Sequence, residues 1–435
     1  MIHAEVNEQS VTIMPPGDTF LSGKVTYFSD SGTKAVPNVT LTLEGDVTYT
    51  TTTDNLGNYI FENVIFGNYI LKPSKNTDLG GLSAVDVSRI FRAEAGTYTL
   101  SCFQMLAADA TQNGTIMSTD VHNVGIYNVH YLNGNVSGKC LNDDCVNWSF
   151  SDTATLDCTS WPPIVAPAKT RSYTPFSSST TNQDFVAVRL GDVSGNWPGI
   201  TRKKRARNPG IDISLSPKIS AIRVPMVLSS EERIEGIDIS VSFDPSLLTL
   251  DDITLNGGIL ANKYYAIESK PTDSSDIVSF MIYSTDEKMY TGKGTVAYIQ
   301  FNISEQVSEN VHTTLHLTKF DCNEQPANAY LLPPTGTITG KVTLPVAGAV
   351  ITVPGTDIQA VTDENGLYQL INVPIGQQAI EIVIPGYDEI IQQSVEVQDN
   401  QVLEMNIEEQ GVKRATDEET PIEEAIRALK EASGM

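Results

Sequence analysis

Thr53-Asp-Asn-Leu-Gly-Asn-Tyr59 returns near the far end of the chain as Thr362-Asp-Glu-Asn-Gly-Leu-Tyr368. The landmarks around it keep register. Asn63-Val64 matches Asn372-Val373, Gly67 matches Gly376, and the offset from Asp54/Asp363 through Gly67/Gly376 is a constant 309. Upstream, Gly23-Lys-Val-Thr26 recurs as Gly340-Lys-Val-Thr343. Period-2 apolar alternation surrounds the landmarks, as in Val39-Thr-Leu-Thr-Leu43 and Tyr59-Ile-Phe61, and marks half-buried strands. Asp54-x-x-Gly57 and Asp363-x-x-Gly366 supply turn chemistry, because Asp bonds the local backbone and Gly accepts φ > 0. Two copies of one small antiparallel sandwich therefore bracket the chain.

Both copies resemble the carboxypeptidase-regulatory, or collagen-adhesin B-type, family, whose pattern is S-G-x-V (Ser22–Val25), then T-D-x-x-G-x-Y, then G-x-Y (Gly67–Tyr69). The resemblance covers 19–75 and 335–409 and implies prealbumin-like sandwiches that act as rigid spacers. In the second copy Gln377-Gln378 follows Gly376, so its last strand is the less typical. Some relatives carry a Lys–Asn crosslink, for which Lys24 and Lys341 stand at the wrong strand position.

Between the copies lies Asp109-Ala-Thr-Gln-Asn-Gly-Thr-Ile-Met-Ser-Thr-Asp120. Asp109, Thr111 and Asn113 occupy loop positions 1, 3 and 5, Gly114 position 6, Thr115 position 7 and Asp120 position 12. That is the spacing by which hard oxygen ligands converge on one Ca²⁺. Asp at position 12, followed by a single helix, resembles the dockerin form of this loop, which implies a calcium-loaded module that plugs into a cohesin. Lys75–Asp86 repeats the outline, with Gly80 and Asp86 at positions 6 and 12, but Lys75 and Leu79 replace two oxygen ligands, making it a degenerate half. The helices expected after the two loops are 85–95 and 119–131, with Val87, Ile90 and Phe91 facing Val121, Val124 and Tyr127. The dockerin resemblance assigns partner contact to positions 10 and 11 of each loop, Ala84-Val85 and Ser118-Thr119. Ser118 can equally be a helix N-cap.

From Gly134 to Trp197 the chain is rich in aromatics, Ser and Thr, and resembles a segment that follows dockerin repeats in bacterial surface proteins; with the two loops it makes a module over 76–200. Asp192-x-Ser194-x-Asn196 imitates the start of another calcium loop, but Trp197 replaces the glycine and a turn is expected. Arg202-Lys-Lys-Arg-Ala-Arg207, followed by Asn-Pro-Gly, reads as an exposed linker over 201–210. Residues 211–325 alternate over many short strands, as in Ile237–Phe243, Val278–Tyr283 and Val296–Phe301. Their motifs V-P-x-x-L-S (Val224–Ser229), F-D-P-S-L-L (Phe243–Leu248) and G-x-G-T-V (Gly292–Val296) resemble a cohesin, which implies a nine-stranded jelly roll. In the tail, 415–435, Thr420-Pro-Ile-Glu-Glu starts a short amphipathic helix.

Composition narrows the function. A net charge of −25 argues against nucleic acid and anionic lipid as partners. No apolar run is long enough to span a membrane. The segment 1–18 carries no full signal peptide, so the chain reads as a mature form. Cys102, Cys140, Cys145 and Cys158 admit three disulfide pairings, with free thiols or a metal as alternatives, and Cys322 stands alone. No P-loop, G-x-S-x-G or H-E-x-x-H occurs, so no enzyme is expected. The expected fold is mainly β, with two small sandwiches, a cohesin-like jelly roll and a small α-helical dockerin-like calcium module. The expected function is calcium-dependent, non-catalytic adhesion or scaffolding, extracellular or at a bacterial surface. Its implied partners are cohesin- or dockerin-type proteins, including another copy of the chain joined head to tail into a filament. The alternatives are a carbohydrate-binding surface protein and an accessory region of a larger polysaccharide-degrading enzyme.

Overall fold

The computed structural model describes residues 19–28, 34–132, 140–152, 169–197, 210–269, 276–308, 311–343, 347–386, 390–399 and 401–407. The expectations for 1–18, the basic linker and the tail helix lie outside these residues.

The first sandwich opens with β1 (Phe20–Tyr27), β2 (Lys34–Ala35), β3 (Thr40–Gly45), β4 (Tyr49–Thr52), β5 (Asn58–Glu62) and β6 (Gly67–Ser74). Three helices follow, α1 (Ala84–Glu94), α2 (Cys102–Ala108) and α3 (Ser118–Leu132), then β7 (Trp148–Ser151), β8 (Arg171–Phe176) and β9 (Phe185–Arg189). The last three strands return to the first sandwich. β8 pairs with β6, β9 runs parallel to β1, and β7 extends that sheet beyond β9. Residue 75 is thus where an insertion begins, and the aromatic stretch closes the sandwich that it interrupts. Phe176 and Phe185 are core residues, and Trp148 and Trp197 meet edge-on with centroids 5.0 Å apart beside Tyr27. These indoles fill the interior, and they present no flat face for a sugar.

The second copy shows the same plan without an insertion. It comprises β20 (Thr335–Lys341), β21 (Val350–Thr352), β22 (Gln359–Val361), β23 (Leu367–Pro374), β24 (Gly376–Val383), β25 (Ile391–Val397) and β26 (Val402–Glu404). Here β25 follows β24 directly, and β26 runs parallel to β20 as β9 does to β1. The shared turn is built identically. Asp54 accepts from the amides of Leu56 and Asn58, and Asp363 accepts from those of Asn365 and Leu367.

Between the copies, β10 (Ile211–Leu215), β11 (Ala221–Arg233), β12 (Gly236–Ser242), β13 (Leu248–Thr254), β14 (Tyr265–Ser269), β15 (Ile277–Ser284), β16 (Thr291–Ile303), β17 (Val311–Cys322), β18 (Gln325–Pro326) and β19 (Ala329–Leu331) form a two-sheet sandwich. One sheet runs β10-β17-β12-β15-β14 with β18 on β17, and the other runs β13-β16-β11-β19. Alternation sends Ile237, Ile239 and Val241 inward to meet Val224, Met226, Phe280 and Phe301. Each such side chain contributes about 1.5–3 kcal/mol by leaving water. Ile375, from the β23–β24 turn of the second sandwich, is buried in this same core.

Candidate protein–protein interface and metal loop

β12 and β15 are buried on both faces, unlike a sheet with one wet side. The cover is α1 and α3. Ser83 caps α1 in a capping box with Asp86, and Val87 and Ile90 pack against Val121, Val124 and Tyr127 of α3 as their helical spacing predicts. The residues on the other side of this pair meet the cohesin-like sheet. Met281 and Tyr283, on the outer side of β15, group with the helical core, and Phe91 lies 6.3 Å from Tyr283 between ring centroids.

A polar ring surrounds that apolar centre. The Asp238 carboxylate, 3% exposed, accepts from the Ala84 amide at 3.1 Å and from Asn128 Nδ2 at 2.9 Å. It sits at the N-terminus of α1, where free amides and the helix dipole favour an anion. Burial pushes its pKa up, Lys319 opposes this, and Asp321 adds to it. Ser88 Oγ donates to the Ser284 carbonyl at 2.7 Å, and Ser83 Oγ to Glu324 at 2.9 Å. Glu235 takes Arg89 through two bonds of 3.2 Å and also pairs with Arg92. Burial disfavours the Arg89 cation, but Glu235 more than offsets this and holds its pKa above the usual range. His122 approaches Glu268 at 3.4 Å. At Gly236 a Cβ would lie 2.6 Å from Ala84 C and Val85 N, so only a bare backbone admits the helix this closely.

Of the residues assigned to partner contact, Ala84 and Val85 lie against Gly236, and Ser118 and Thr119 are exposed in the first turn of α3. Sequence reasoning missed Asn128, Arg89, Arg92, Glu235 and Asp238. One signal was available: Val278-Ser-Phe-Met-Ile-Tyr283 is apolar on both faces, as befits a strand with a partner on each side.

The loop Asp109–Asp120 gathers the oxygens expected of it. Asp109 accepts from the Asn113 and Gly114 amides at 3.0 and 2.9 Å, and Asp120 from the Thr111 and Met117 amides at 2.9 and 3.0 Å. The Thr111 hydroxyl lies 3.4 Å from Asp109 and 2.9 Å from Asp120, joining the two acids. Asn113 Oδ1 accepts from the Thr115 amide, and Gly114 takes φ +84° at the sharp bend. Both acids are buried, and burial, reinforced by Asp120, raises the Asp109 pKa despite its amide donors. This all-oxygen set of two buried acids and neutral donors suits a hard cation. Among the described residues no cluster of three or more His, Cys, Asp or Glu forms a metal centre, so a cation here would rest on two carboxylates.

The degenerate loop is arranged differently. The Lys75 ammonium is buried and donates to the Pro37 carbonyl, Thr77 Oγ1 and Asp78, so position 1 carries its own cation. Asp86, at position 12, accepts from the Ser194 amide at 2.8 Å. The Asp192 turn folds around its own carboxylate, which accepts from the Gly195, Asn196 and Trp197 amides and from Tyr27. Burial is the main cause that pushes Asp192 up to about 6, with Glu324 adding to it; burial and Asp192 raise Asp86. Cys140 and Cys145 form a disulfide, Cys102 is also disulfide-bonded, and Cys322 is a buried thiol.

Comparison with known proteins identifies two modules. Residues 220–330 match the cohesin domain, and 335–409 match the carboxypeptidase regulatory-like domain. No curated protein matches the chain. Among solved structures, a type II cohesin–X–dockerin complex from Acetivibrio cellulolyticus is 22% identical over 17% of this chain, which spans 56% of that one, with a TM-score of 0.15. A non-cellulosomal cohesin from Archaeoglobus fulgidus is 16% identical over 28% of this chain and 84% of its own, with a TM-score of 0.19. The major pilin subunit BcpA of Bacillus cereus is 10% identical over 92% of this chain and 100% of its own, with a TM-score of 0.22. The chain is a mainly β, multi-sandwich protein with a cohesin domain and a carboxypeptidase regulatory-like domain.

Proposed function

We propose that the protein is a calcium-dependent, non-catalytic scaffold or adhesin of the bacterial exterior, working by dockerin–cohesin-type contact. Cohesin and carboxypeptidase regulatory-like modules are non-catalytic, and cohesin partners in the solved complexes are dockerin-type proteins. The observation that carries the reading is the helix pair seated on β12, β15 and β14 through Asp238, Glu235 and Glu268. Calcium enters through Asp109, Thr111, Asn113, Thr115 and Asp120. Its positive charge would offset two buried carboxylates and fix the start of α3, hence the angle at which α3 meets the sheet. The two small sandwiches space the interacting modules. Titration calorimetry of the chain with Ca²⁺ tests this, with Asp120→Ala as control. Binding of one ion that the variant abolishes supports it, and equal heats for both proteins refute it.

A further inference from the structure

We infer that the partner of the β12–β15–β14 face is the α1–α3 pair of the same chain, so that plug and socket close on each other within one molecule. This rests on the dockerin–cohesin reading above and adds which plug fills this socket. Three independent features favour a resident partner. Met281 and Tyr283 turn apolar surface away from the sandwich core and are buried among helical residues. Left open, they would form an exposed apolar patch beside a carboxylate. Polar groups are matched across the contact: Asp238 with Ala84 and Asn128, Glu235 with Arg89 and Arg92, Ser284 with Ser88, Glu324 with Ser83. Finally, the missing side chain at Gly236 faces the backbone of Ala84 and Val85, which is steric complementarity to this particular helix start.

Together these features define what an outside competitor must present. It needs an unobstructed helix N-terminus at Gly236, an amide donor where Asn128 stands, and two cations one helical turn apart on the face of Arg89 and Arg92. A filament built by plugging one copy into the next would have to break all of these contacts first.

The test severs the covalent link and asks whether the halves stay together. Arg202–Arg207 is replaced by the recognition sequence of a specific protease, the full chain is cut in calcium, and the mass is read by light scattering after gel filtration. The expected result is one particle near the 47.2 kDa of the intact chain at about 100 μM, well above a micromolar dissociation constant. Glu235→Arg should weaken the association of the halves by roughly tenfold or more, since it sets like charges against each other in a half-buried site. Combining it with Arg89→Glu and Arg92→Glu should restore most of the loss, which a merely misfolded variant would not do. Wild-type halves that separate, or a charge swap that rescues nothing, would overturn the inference. So would an intact chain whose mass climbs with concentration. Calcium binding that persists while the halves separate would sink the internal plug alone, and halves that stay joined without binding calcium would sink the calcium reading alone.

Discussion

Gly236→Leu should open the contact between α1 and the cohesin-like sheet, and its size can be worked out from the surrounding atoms. A Cβ at 236 would meet Ala84 C and Val85 N at 2.6 Å and Ala84 Cβ at 2.8 Å, whereas ordinary contacts begin near 3.4 Å. The helix start must therefore retreat by about 1 Å. The Ala84 amide, now 3.1 Å from Asp238, then passes out of hydrogen-bond range. Forcing atoms into a packed site costs about 1–3 kcal/mol. Losing a hydrogen bond to a buried charge costs about 1.5–3 kcal/mol. Tilting of the helix relieves part of this, so about 3 kcal/mol is expected, or roughly a hundredfold weaker association of the severed halves. Gly236 lies outside the left-handed region, so the strand itself tolerates a side chain. Hydrogen exchange should accordingly rise in α1 and stay unchanged in β11 and β16. An affinity within twofold of wild type would refute the close approach at Gly236, and faster exchange throughout the sandwich would show that the effect is not local.

Asp120→Ala removes the acceptor of three bonds from Thr111 and Met117 and should abolish the calcium-induced rise in melting temperature; a surviving rise would place the ion elsewhere. Ile375→Ala should cost about 2–5 kcal/mol as a cavity in the cohesin-like core, whereas Phe66→Ala, its repeat equivalent at 41% exposure, should cost far less; similar melting shifts for the two would contradict the packing. Asp192, raised to about 6, destabilises the fold in its charged form, a penalty full above pH 6 and absent below about pH 4. In chelator, lowering the pH from 7.5 to 5.5 should therefore regain about 1 kcal/mol from this group, and Asp192→Asn should shrink the chain's total pH response by that amount; an unchanged response in the variant would assign it to other carboxylates.

Local chemistry was legible in the sequence and long-range pairing was not. The twin Asp turns, the strand alternation and both long helices could be read because each follows from neighbours within one turn or one strand. The return of β8 and β9 to the first sandwich leaves no local trace, since their partners lie about 100 and about 160 residues back. The helix α2 was missed because it is short and starts at a disulfide cysteine. Within the interface, Ala84 and Val85 were named by resemblance and do face Gly236. Asp238 went unmarked because an outward Asp on an alternating strand looks like any solvated residue until something covers it. Cysteine spacing alone could not select Cys140–Cys145.

The insertion and the tether together hold the helices close to their sheet. The helices leave from β6 in one sheet and return to β7 in the other, so the module is anchored at both ends to the first sandwich. The cohesin-like sandwich is tethered to the same body through residues 198–209, which keeps the helices and their sheet at an effective concentration of about 1 mM. If the severed halves bind with a dissociation constant of about 1 μM, the intact chain is open about once in a thousand molecules. A free plug of equal affinity would then need about millimolar concentration to displace the resident one. Adding the severed N-terminal half at 10 μM to intact chain should therefore produce no complex, and a stoichiometric complex at that concentration would show that the contact does not close within the chain.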